Sequence, residues 1–563
     1  MGKKIITGTD VELALSLGNK KIDIDENTII TGIAQEMADK ARIEFLRKTD
    51  NRTGDQILGD SSKYNFQDIP QKNDDVKNVK EQDAFVKKLE KIDIHEKQIE
   101  EILHRIYLLD ERFKNYSNVA FDKSITRDAI VEELDIKIEK GLCVIPDQGI
   151  IECDLGIKEG KIWSMGREIR IPAKKNINAA GKCILPGIID PHIHLGIFAD
   201  FATEVETETR AALKGGVTTA GCFFGGTESH FKTFPPLEKI LREKSKIDII
   251  PHFVISNHTQ LSEVPEYIKR FGVRTFKIYM SGIPGMIPDV DDAFILDVFE
   301  VLKEVKEDCT VFIHAENPVL IKRATEKYRG KIGNPLQIWS QTHPAISEEE
   351  AVRRAAFYAE KTGVKIYFVH ISTREAVNAL RELKAYKGLK NIYAETTSPY
   401  LTLTTDSPAG IKGKMVPPLR ERESVEALWD GINQNLIDTI GTDNTTITLE
   451  EKRAAQDIWS AVPGYPVLGT HLASILHEGV NGGRISLEKL VEVMCKNPAK
   501  ILGLYPKKGT IVPGGDADLV IVDLDEKRTV KPEILGSRSD FSLFDGRELR
   551  GWPVMTIKSG HLA

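Results

Sequence analysis

The sequence predicts an α/β protein built around a closed (β/α)8 barrel, the TIM-barrel fold, and three observations lead to this prediction. Eight apolar runs of strand length alternate with stretches that have apolar residues at helical spacing, which is the count that such a barrel requires. Short alternating strands with tight turns lie on both sides of this region. A further segment at the N-terminus mixes strand-like and helical patterns.

The predicted barrel occupies residues 186–505. Helical patterns fill most of the gaps between its strands, as in residues 204–214, 293–305 and 348–362. A doubly wound open sheet is the competing architecture, but nothing resembling Gly-x-Gly-x-x-Gly follows the first strand. The eight strands are expected to end near Asp190, Phe223, Val254, Met280, Ala315, Ile371, Glu395 and Gly441.

Two flanking segments, residues 141–185 and 506–563, predict one small composite β-sandwich domain. Residues 157–163 give a hairpin signal with Gly160 at the turn. The C-terminal flank has the same texture in residues 509–522 and 554–560. Because both flanks are rich in short strands, we expect them to share one β-domain.

The first 140 residues are predicted to lie outside the barrel and the β-domain. Residues 1–47 predict a small α+β extension, with strand-like runs near Ile22 and Ile29. Residues 48–140 are predicted to be a flexible linker and an amphipathic helical segment. The linker, to about residue 83, has few apolar side chains to bury, and apolar residues then recur at helical spacing over 82–109.

Composition narrows the range of partners. The 563 residues have a net charge of -7 with both signs interspersed, so no basic patch predicts binding to nucleic acid. The six cysteines have no Cys-x-x-Cys spacing, which favours reduced thiols in the cytoplasm. No apolar run approaches the roughly 20 residues of a membrane helix. We expect a cytoplasmic protein that binds neither nucleic acid nor membrane.

Polar side chains with metal-binding chemistry follow or end several of the predicted strands. His192 and His194 are two residues apart, and residues i and i+2 of a strand point to the same side, so both imidazoles can reach one metal ion. Each histidine alone has a simpler explanation as a core or surface residue. Together they predict a metal site at the barrel mouth where active sites lie. The converging residues are His192, His194, Lys277, His314, His370 and Asp443.

The same region resembles the cyclic amidohydrolases of the amidohydrolase superfamily, the group that contains dihydropyrimidinase (hydantoinase), allantoinase and dihydroorotase. The resemblance runs from about residue 141 to the C-terminus and does not include the first 140 residues. The matching segments are residues 186–194, 275–280, 313–317, 369–372, 417–420, 440–443, 497–500 and the tail from 508.

The resemblance implies two divalent metal ions, usually zinc, and a Lys277 that carbon dioxide has converted to a bridging carbamate. The alternative for Lys277 is an ordinary lysine or a salt-bridge partner. The implied reaction opens a cyclic amide, a cyclic ureide or imide, by attack of a metal-bridging hydroxide, with Asp443 moving the proton. Glu316 and Asn317 are expected to support the ligands. The implied ligands are His192, His194 and Asp443 for the more buried ion, and His314 and His370 for the more exposed one.

Positions that contact substrate in the family differ in this chain. Leu195 follows the histidine pair, where dihydroorotase typically has an arginine for a carboxylate, which argues against dihydroorotate. Changes among hydrogen-bonding groups predict a changed substrate. His230, expected on a loop near the barrel mouth, is a further candidate contact. At four positions where members of this family commonly have a tyrosine, a serine, an asparagine and a histidine, this chain has Gly282, Val416, Ser460 and Asn444, respectively.

Two alternative functions stay open at this point. One is a non-catalytic dihydropyrimidinase-like scaffold, as in collapsin-response mediator relatives that lack the ligands, and the other is a deaminase-type amidohydrolase. Retention of all six ligands speaks against the scaffold, and a mononuclear deaminase has no use for a bridging lysine. The resemblance also implies a homo-oligomer, a dimer or tetramer.

The N-terminal module has a weak resemblance of its own. Residues 7–11 and 28–31 resemble leading segments of some bacterial microcompartment-associated proteins. This implies that residues 1–47 dock onto a microcompartment shell or cargo protein. The alternative is an accessory domain that packs on the barrel.

Overall fold

The computed structural model describes residues 5–6, 21–24, 29–30, 44–47, 133–453 and 456–563. The chain divides into two compact units, residues 1–92 and 93–563. In the first unit, β1 (Ile5–Ile6), β2 (Lys21–Ile24), β3 (Ile29–Ile30) and β4 (Glu44–Arg47) form two parallel pairs, β1 with β3 and β2 with β4. The helices predicted within 1–47 and over 82–109 lie outside the described residues.

The second unit contains the remaining strands and all the described helices. The strands are β5 (Leu134–Ile145), β6 (Gly149–Lys158), β7 (Lys161–Gly166), β8 (Ala173–Asn178), β9 (Cys183–Pro186), β10 (Ile188–His194), β11 (Val217–Phe224), β12 (Asp248–Val254), β13 (Thr275–Tyr279), β14 (Thr310–His314), β15 (Lys365–Phe368), β16 (Ile392–Thr397), β17 (Thr439–Gly441), β18 (Asn444–Thr445), β19 (Leu519–Thr529), β20 (Glu548–Lys558) and β21 (His561–Leu562). The helices are α1 (Phe201–Lys214), α2 (His230–Lys244), α3 (His258–Ser262), α4 (Val264–Phe271), α5 (Asp292–Glu304), α6 (Pro318–Tyr328), α7 (Pro335–Thr342), α8 (Ala345–Thr362), α9 (Arg374–Leu380), α10 (Ser398–Thr402), α11 (Arg422–Asn433), α12 (Leu449–Lys452), α13 (His471–Ile475), α14 (Leu487–Val491), α15 (Asn497–Ile501) and α16 (Pro532–Leu535).

Strands β10 to β18 form the predicted closed barrel. They pair in the order β17-β16-β15-β14-β13-β12-β11-β10-β18, and every neighbour is parallel. β17 and β18 are two halves of one segment, which pairs with β16 on one side and with β10 on the other. This segment therefore joins the last strand to the first. The break between its halves falls at Thr442 and Asp443, and Asp443 has a left-handed φ of 53°.

The two flanks of the barrel share one β-rich domain, as predicted. Its sheet has the order β21-β20-β19-β9-β5-β6-β7, with β8 also paired to β5. β9 joins the flanks because it pairs with β19 from the C-terminal side and with β5 from the N-terminal side. β5 begins at Leu134, before the predicted domain start at residue 141. A register shift between Ile138 and Gly141 interrupts the alternation of buried residues, which hid the first half of this strand in the sequence.

Lys508 connects the barrel to the β-domain. Its Nζ lies 2.6 Å from Asp248 Oδ2 on β12, 2.9 Å from Asp516 Oδ2 and 2.5 Å from Asp518 Oδ2 beside β19. Burial alone would lower the pKa of Lys508, but the charges of Asp518 and Asp248 outweigh burial and raise it. One buried cation thus holds three carboxylates from two parts of the fold.

Replacing this cation should destabilise the protein. Lys508→Met leaves buried carboxylates with only Lys161 and Lys558 nearby, and breaking such a buried pair lowers the free energy of unfolding by about 3 kcal/mol. Denaturant titration checks this value. Lys527→Met is the control, because its pair with Glu548 is exposed and should contribute less than about 1 kcal/mol. Equal losses for the two variants would contradict the role of Lys508.

Candidate metal centre

Three of the predicted ligands meet at the mouth of the barrel. His192 Nε2 lies 3.3 Å from His194 Nε2, and Asp443 Oδ1 lies 3.1 Å from each of these two nitrogens. Two ligands bound to one tetrahedral zinc ion are about 3.3 Å apart, so the three atoms fit the coordination sphere of one ion. The His-x-His spacing at the end of β10 therefore gives the geometry that the sequence predicted.

Asp190 fixes the backbone on which these ligands lie. One of its oxygens accepts the backbone N–H groups of His192 and Thr442, both at 3.1 Å, and the other accepts the Thr442 hydroxyl at 2.6 Å. Burial raises the pKa of Asp190 to about 7, against the hydrogen bonds that lower it. Asp190 thereby ties the end of β10 to the break between β17 and β18.

The charges around these ligands attract cations. Burial alone would lower the pKa of His192, but the negative charges of Asp443 and Glu395 outweigh burial and raise it to about 9. Burial would raise the pKa of Asp443, yet His192 and His194 hold it well below its usual range. In the metal-free protein a proton on His192 balances buried carboxylates, and a metal ion can replace that positive charge.

Two further predicted ligands, His314 and His370, lie beside the first group. His314 Nδ1 at the end of β14 is 2.9 Å from His370 Nε2, and the ring centres of His192 and His370 are 5.5 Å apart. His314 Nε2 lies 3.0 Å from Glu316 Oε2, so Glu316 contacts one of the predicted ligands. His370 has a left-handed φ of 44°, and its backbone N–H donates to Glu395 Oε1 at 3.1 Å.

Lys277 lies inside the barrel close to both groups. Its side chain is fully buried, and among the described residues Nζ has no hydrogen-bond partner. Nζ lies 4.9 Å from the ring centre of Phe223 and 4.8 Å from that of Tyr279. Burial lowers the pKa of Lys277 to about 7, against the charges of Asp443 and Glu395. A buried amine without a partner is unfavourable, so the site has a place for a further ligand or modification.

The predicted substrate contacts have varied environments. Gly282 follows β13, and a side chain there would meet the backbone oxygen of Ile287 at 2.2 Å, so a larger residue does not fit this turn. Val416 is partly buried after β16. Ser460 Oγ contacts Asp457 Oδ1 at 3.1 Å in a loop after β18.

Asn444 and His230 are engaged within the fold. Asn444 is buried, and its side chain donates to Thr446 Oγ1 and accepts the backbone N–H of Val467 at 2.8 Å. His230 is the first residue of α2, 1% exposed, with Nε2 2.8 Å from the backbone oxygen of Val254 and its ring stacked on Phe253. The expectation that His230 lies on a loop was therefore wrong. The residue begins a helix and is buried, because its ring packs against the aromatic rings of Phe253 and Tyr267.

Sequence reasoning did not identify two residues that contact the ligands. Glu395 on β16 accepts hydrogen bonds from His192 and from the backbone of His370. Tyr465 lies with its hydroxyl 3.2 Å from Asp443 Oδ2. The signal for Glu395 was that it is the one charged residue of its strand, whereas Tyr465 lies in a loop with no such signal.

Comparison with known proteins agrees with this geometry. Residues 183–563 match the sequence profile of the amidohydrolase family. An L-hydantoinase of Paenarthrobacter aurescens is 32% identical over 443 residues, covering 75% of this chain and 93% of the relative. A D-hydantoinase of Geobacillus stearothermophilus is 33% identical over 440 residues, covering 75% and 92%.

Solved structures give the same result. The L-hydantoinase (dihydropyrimidinase) of Arthrobacter aurescens has a TM-score of 0.70 at 30% identity, covering 76% of this chain and 96% of that one. The dihydropyrimidinase of Brevibacillus agri has a TM-score of 0.70 at 27% identity, covering 76% and 94%. Among the described residues, no helix has the length and apolar content needed to cross a membrane.

The lowered pKa of Lys277 predicts how the metal-free protein responds to pH. The native state loses this proton near pH 7, whereas the unfolded chain keeps it to its ordinary value of 10.5. Below about pH 7 the native state therefore has the full cost of a buried ammonium, and the free energy of unfolding rises between these values. The slope from this residue is at most about 1.4 kcal/mol per pH unit.

Denaturant titrations at several pH values, with chelator and carbonate-free buffer, measure this slope. Lys277→Met should reduce it, because the variant has no titrating group at this position. Identical pH dependence of unfolding in the wild type and in Lys277→Met would show that burial does not perturb this amine.

Proposed function

The chain belongs to the amidohydrolase family, and from this premise we propose that it is a metal-dependent hydrolase that opens the ring of a cyclic amide. The observation that carries the proposal is that two groups of candidate ligands, from four barrel strands, lie close to a buried lysine on a fifth strand, whose amine has no hydrogen-bond partner among the described residues. The named relatives are hydantoinases and a dihydropyrimidinase, which supports a cyclic ureide or imide as the substrate class. Residues 186–505 would form the catalytic domain.

The ligand set supports two zinc ions. Imidazole nitrogens and carboxylate oxygens suit zinc, with His192, His194 and Asp443 for one ion and His314 and His370 for the other. An amine with a pKa of about 7 is about half unprotonated at neutral pH, and the unprotonated amine is the form that reacts with carbon dioxide. A carbamate on Lys277 would turn a cation that repels metal ions into an anionic group with two oxygen ligands.

The residues of the chain then have separate tasks. Two bound cations would lower the pKa of a water molecule toward about 7 and polarise a substrate carbonyl. Asp443, whose pKa is well below its usual range, is ionised and can accept a proton from the attacking water. Its Oδ2 lies 3.2 Å from the Tyr465 hydroxyl, which fixes the carboxylate orientation. Asp443 would then deliver the proton to the departing ring nitrogen.

Substrate choice should differ from that of the named relatives. Gly282, Val416 and Ser460 all follow barrel strands at the end where the ligands lie, which supports them as substrate contacts. None of the three has a long hydrogen-bonding side chain. Polar groups of a substrate that hydrogen-bond to such side chains in hydantoinases would therefore need other partners here. We therefore propose an unusual cyclic ureide or imide rather than dihydroorotate.

Location and assembly are further parts of the proposal. All six cysteines are free and buried, which supports a reducing, cytoplasmic setting. Ile346 and Phe357 on α8 are 59% and 52% exposed, which supports a homo-oligomer, a dimer or tetramer, that covers them. The proposed module of residues 1–47, followed by the proposed linker and helical segment that precedes β5, would dock onto a microcompartment shell or cargo protein.

Metal analysis together with a turnover screen tests the proposed function. Purified protein should contain about two zinc ions per chain and hydrolyse at least one hydantoin, dihydropyrimidine, allantoin or other cyclic ureide or imide. Lys277→Ala should lose both, whereas Lys239→Ala, at an exposed position on α2, should lose neither. One ion per chain would favour the deaminase-type alternative, and none the scaffold. Full activity in Lys277→Ala would refute the bridging role.

A reporter fusion tests the docking module. Residues 1–125 fused to a fluorescent protein should form foci in a host that makes microcompartments, because docking would concentrate the reporter at them. The control is the same reporter fused to residues 133–563. Diffuse fluorescence from both fusions would favour an accessory domain over a docking module.

A further inference from the structure

Glu395 on β16 contacts both ligand groups of the metal centre. Its side chain is fully buried and accepts three hydrogen bonds, from His192 Nδ1 at 2.8 Å, from the backbone N–H of His370 at 3.1 Å and from the Tyr367 hydroxyl at 2.8 Å. We propose that Glu395 is a positioning residue: it holds His192 of one ligand group and His370 of the other in the orientations that metal binding requires. This inference rests on the metal-dependent function proposed above.

The bond to His192 fixes which nitrogen of that ring is free. Glu395 Oε1 accepts the hydrogen bond from His192 Nδ1, so this nitrogen keeps its proton. Nε2, the atom that faces His194 and Asp443, is then the nitrogen that would give up its proton to bind a metal ion. A carboxylate behind a histidine ligand also raises the basicity of the ligand nitrogen. Glu395 thus selects the tautomer that can bind the first ion.

The bond to His370 fixes a strained backbone. A φ of 44° is sparsely populated for a residue with a side chain, so it persists only where the surroundings hold it. The oxygen that contacts His192 is also the one that accepts the His370 N–H. In this backbone conformation His370 Nε2 lies 2.9 Å from His314 Nδ1. One carboxylate oxygen therefore sets a ligand in each group.

The other oxygen fixes the plane of the carboxylate. Oε2 accepts from Tyr367 on β15, and the same hydroxyl is 2.5 Å from Thr439 Oγ1 on β17. Residues of the two strands that flank β16 therefore fix the position of the Glu395 carboxylate. At Gly441, a side chain would place its first carbon 2.9 Å from Glu395 Cδ and Oε2, so the glycine leaves room for the carboxylate.

Glu395 acts through other residues and is not assigned as a ligand. Oε1 lies on the Nδ1 side of His192, whereas the predicted ligand atom of that ring is Nε2. A purely structural buried carboxylate is the alternative explanation. The two differ in one measurable respect, because a positioning residue changes metal affinity in protein that is still folded.

The test is the zinc affinity of metal-free Glu395→Gln, measured by competition with a chelator. The amide keeps the shape and one acceptor oxygen but removes the charge, so we expect affinity to fall about 10- to 100-fold. Thermal unfolding of the metal-free variant checks the fold, and cobalt absorption spectra report changed coordination. Glu208→Gln is the matched control, a buried carboxylate that accepts from Ser537, Thr446 and Arg538 and contacts no ligand. It should bind zinc like the wild type.

A second variant covers the case in which Glu395→Gln does not fold. Glu395→Asp keeps the charge but is one methylene shorter, so it cannot reach both His192 and His370, and affinity should fall at least about tenfold. Wild-type affinity in a folded variant at this position would overturn the inference and leave the proposed function intact. Absence of any zinc binding by the wild type would instead defeat the proposed function.

Discussion

Buried negative charge at the barrel mouth is the constraint on which the site depends. Asp443 and Glu395 lie out of water, and a buried carboxylate without a cation or donors is strongly unfavourable. In the metal-free protein His192 supplies the positive charge, and its raised pKa is the result. The same charges would balance metal ions once the imidazoles lose their protons. The barrel makes this possible because it brings carboxylates and imidazoles from separate strands to one end.

The barrel and the placement of the candidate ligands at one end of it could be predicted because their signals are local. Apolar runs mark strands, and residues just after parallel strands must gather at one edge, so His314 and His370 could be placed without any contact information. Glu395 could not, because its role depends on the lateral register that sets β16 between Tyr367 and Thr439. The start of β5 was missed since a register shift interrupts its alternation. His230 shows that a residue expected on a loop can be the buried first residue of a helix.

Three of the four predicted departures from the family lie in loops rather than at the strand ends that carry the predicted ligands. All six predicted ligands lie near one another, whereas the changed residues at 282, 416 and 460 lie in loops after the strands. Asn444 is the exception, since both its amide groups bond to neighbouring residues and stabilise the loop that leads to Tyr465. Loops of this kind vary more easily than packed strand ends. Chemistry and substrate preference can therefore change separately in this fold.

The closure of the barrel also depends on the site. The last strand is broken at Asp443, and only the two residues of β18 pair with β10 to complete the ring. An ion held by His192 and His194 on β10 and by Asp443 would cross-link the first and last strands where they meet. Loss of that ion would remove this cross-link, so metal loading and the closure of the barrel would depend on each other.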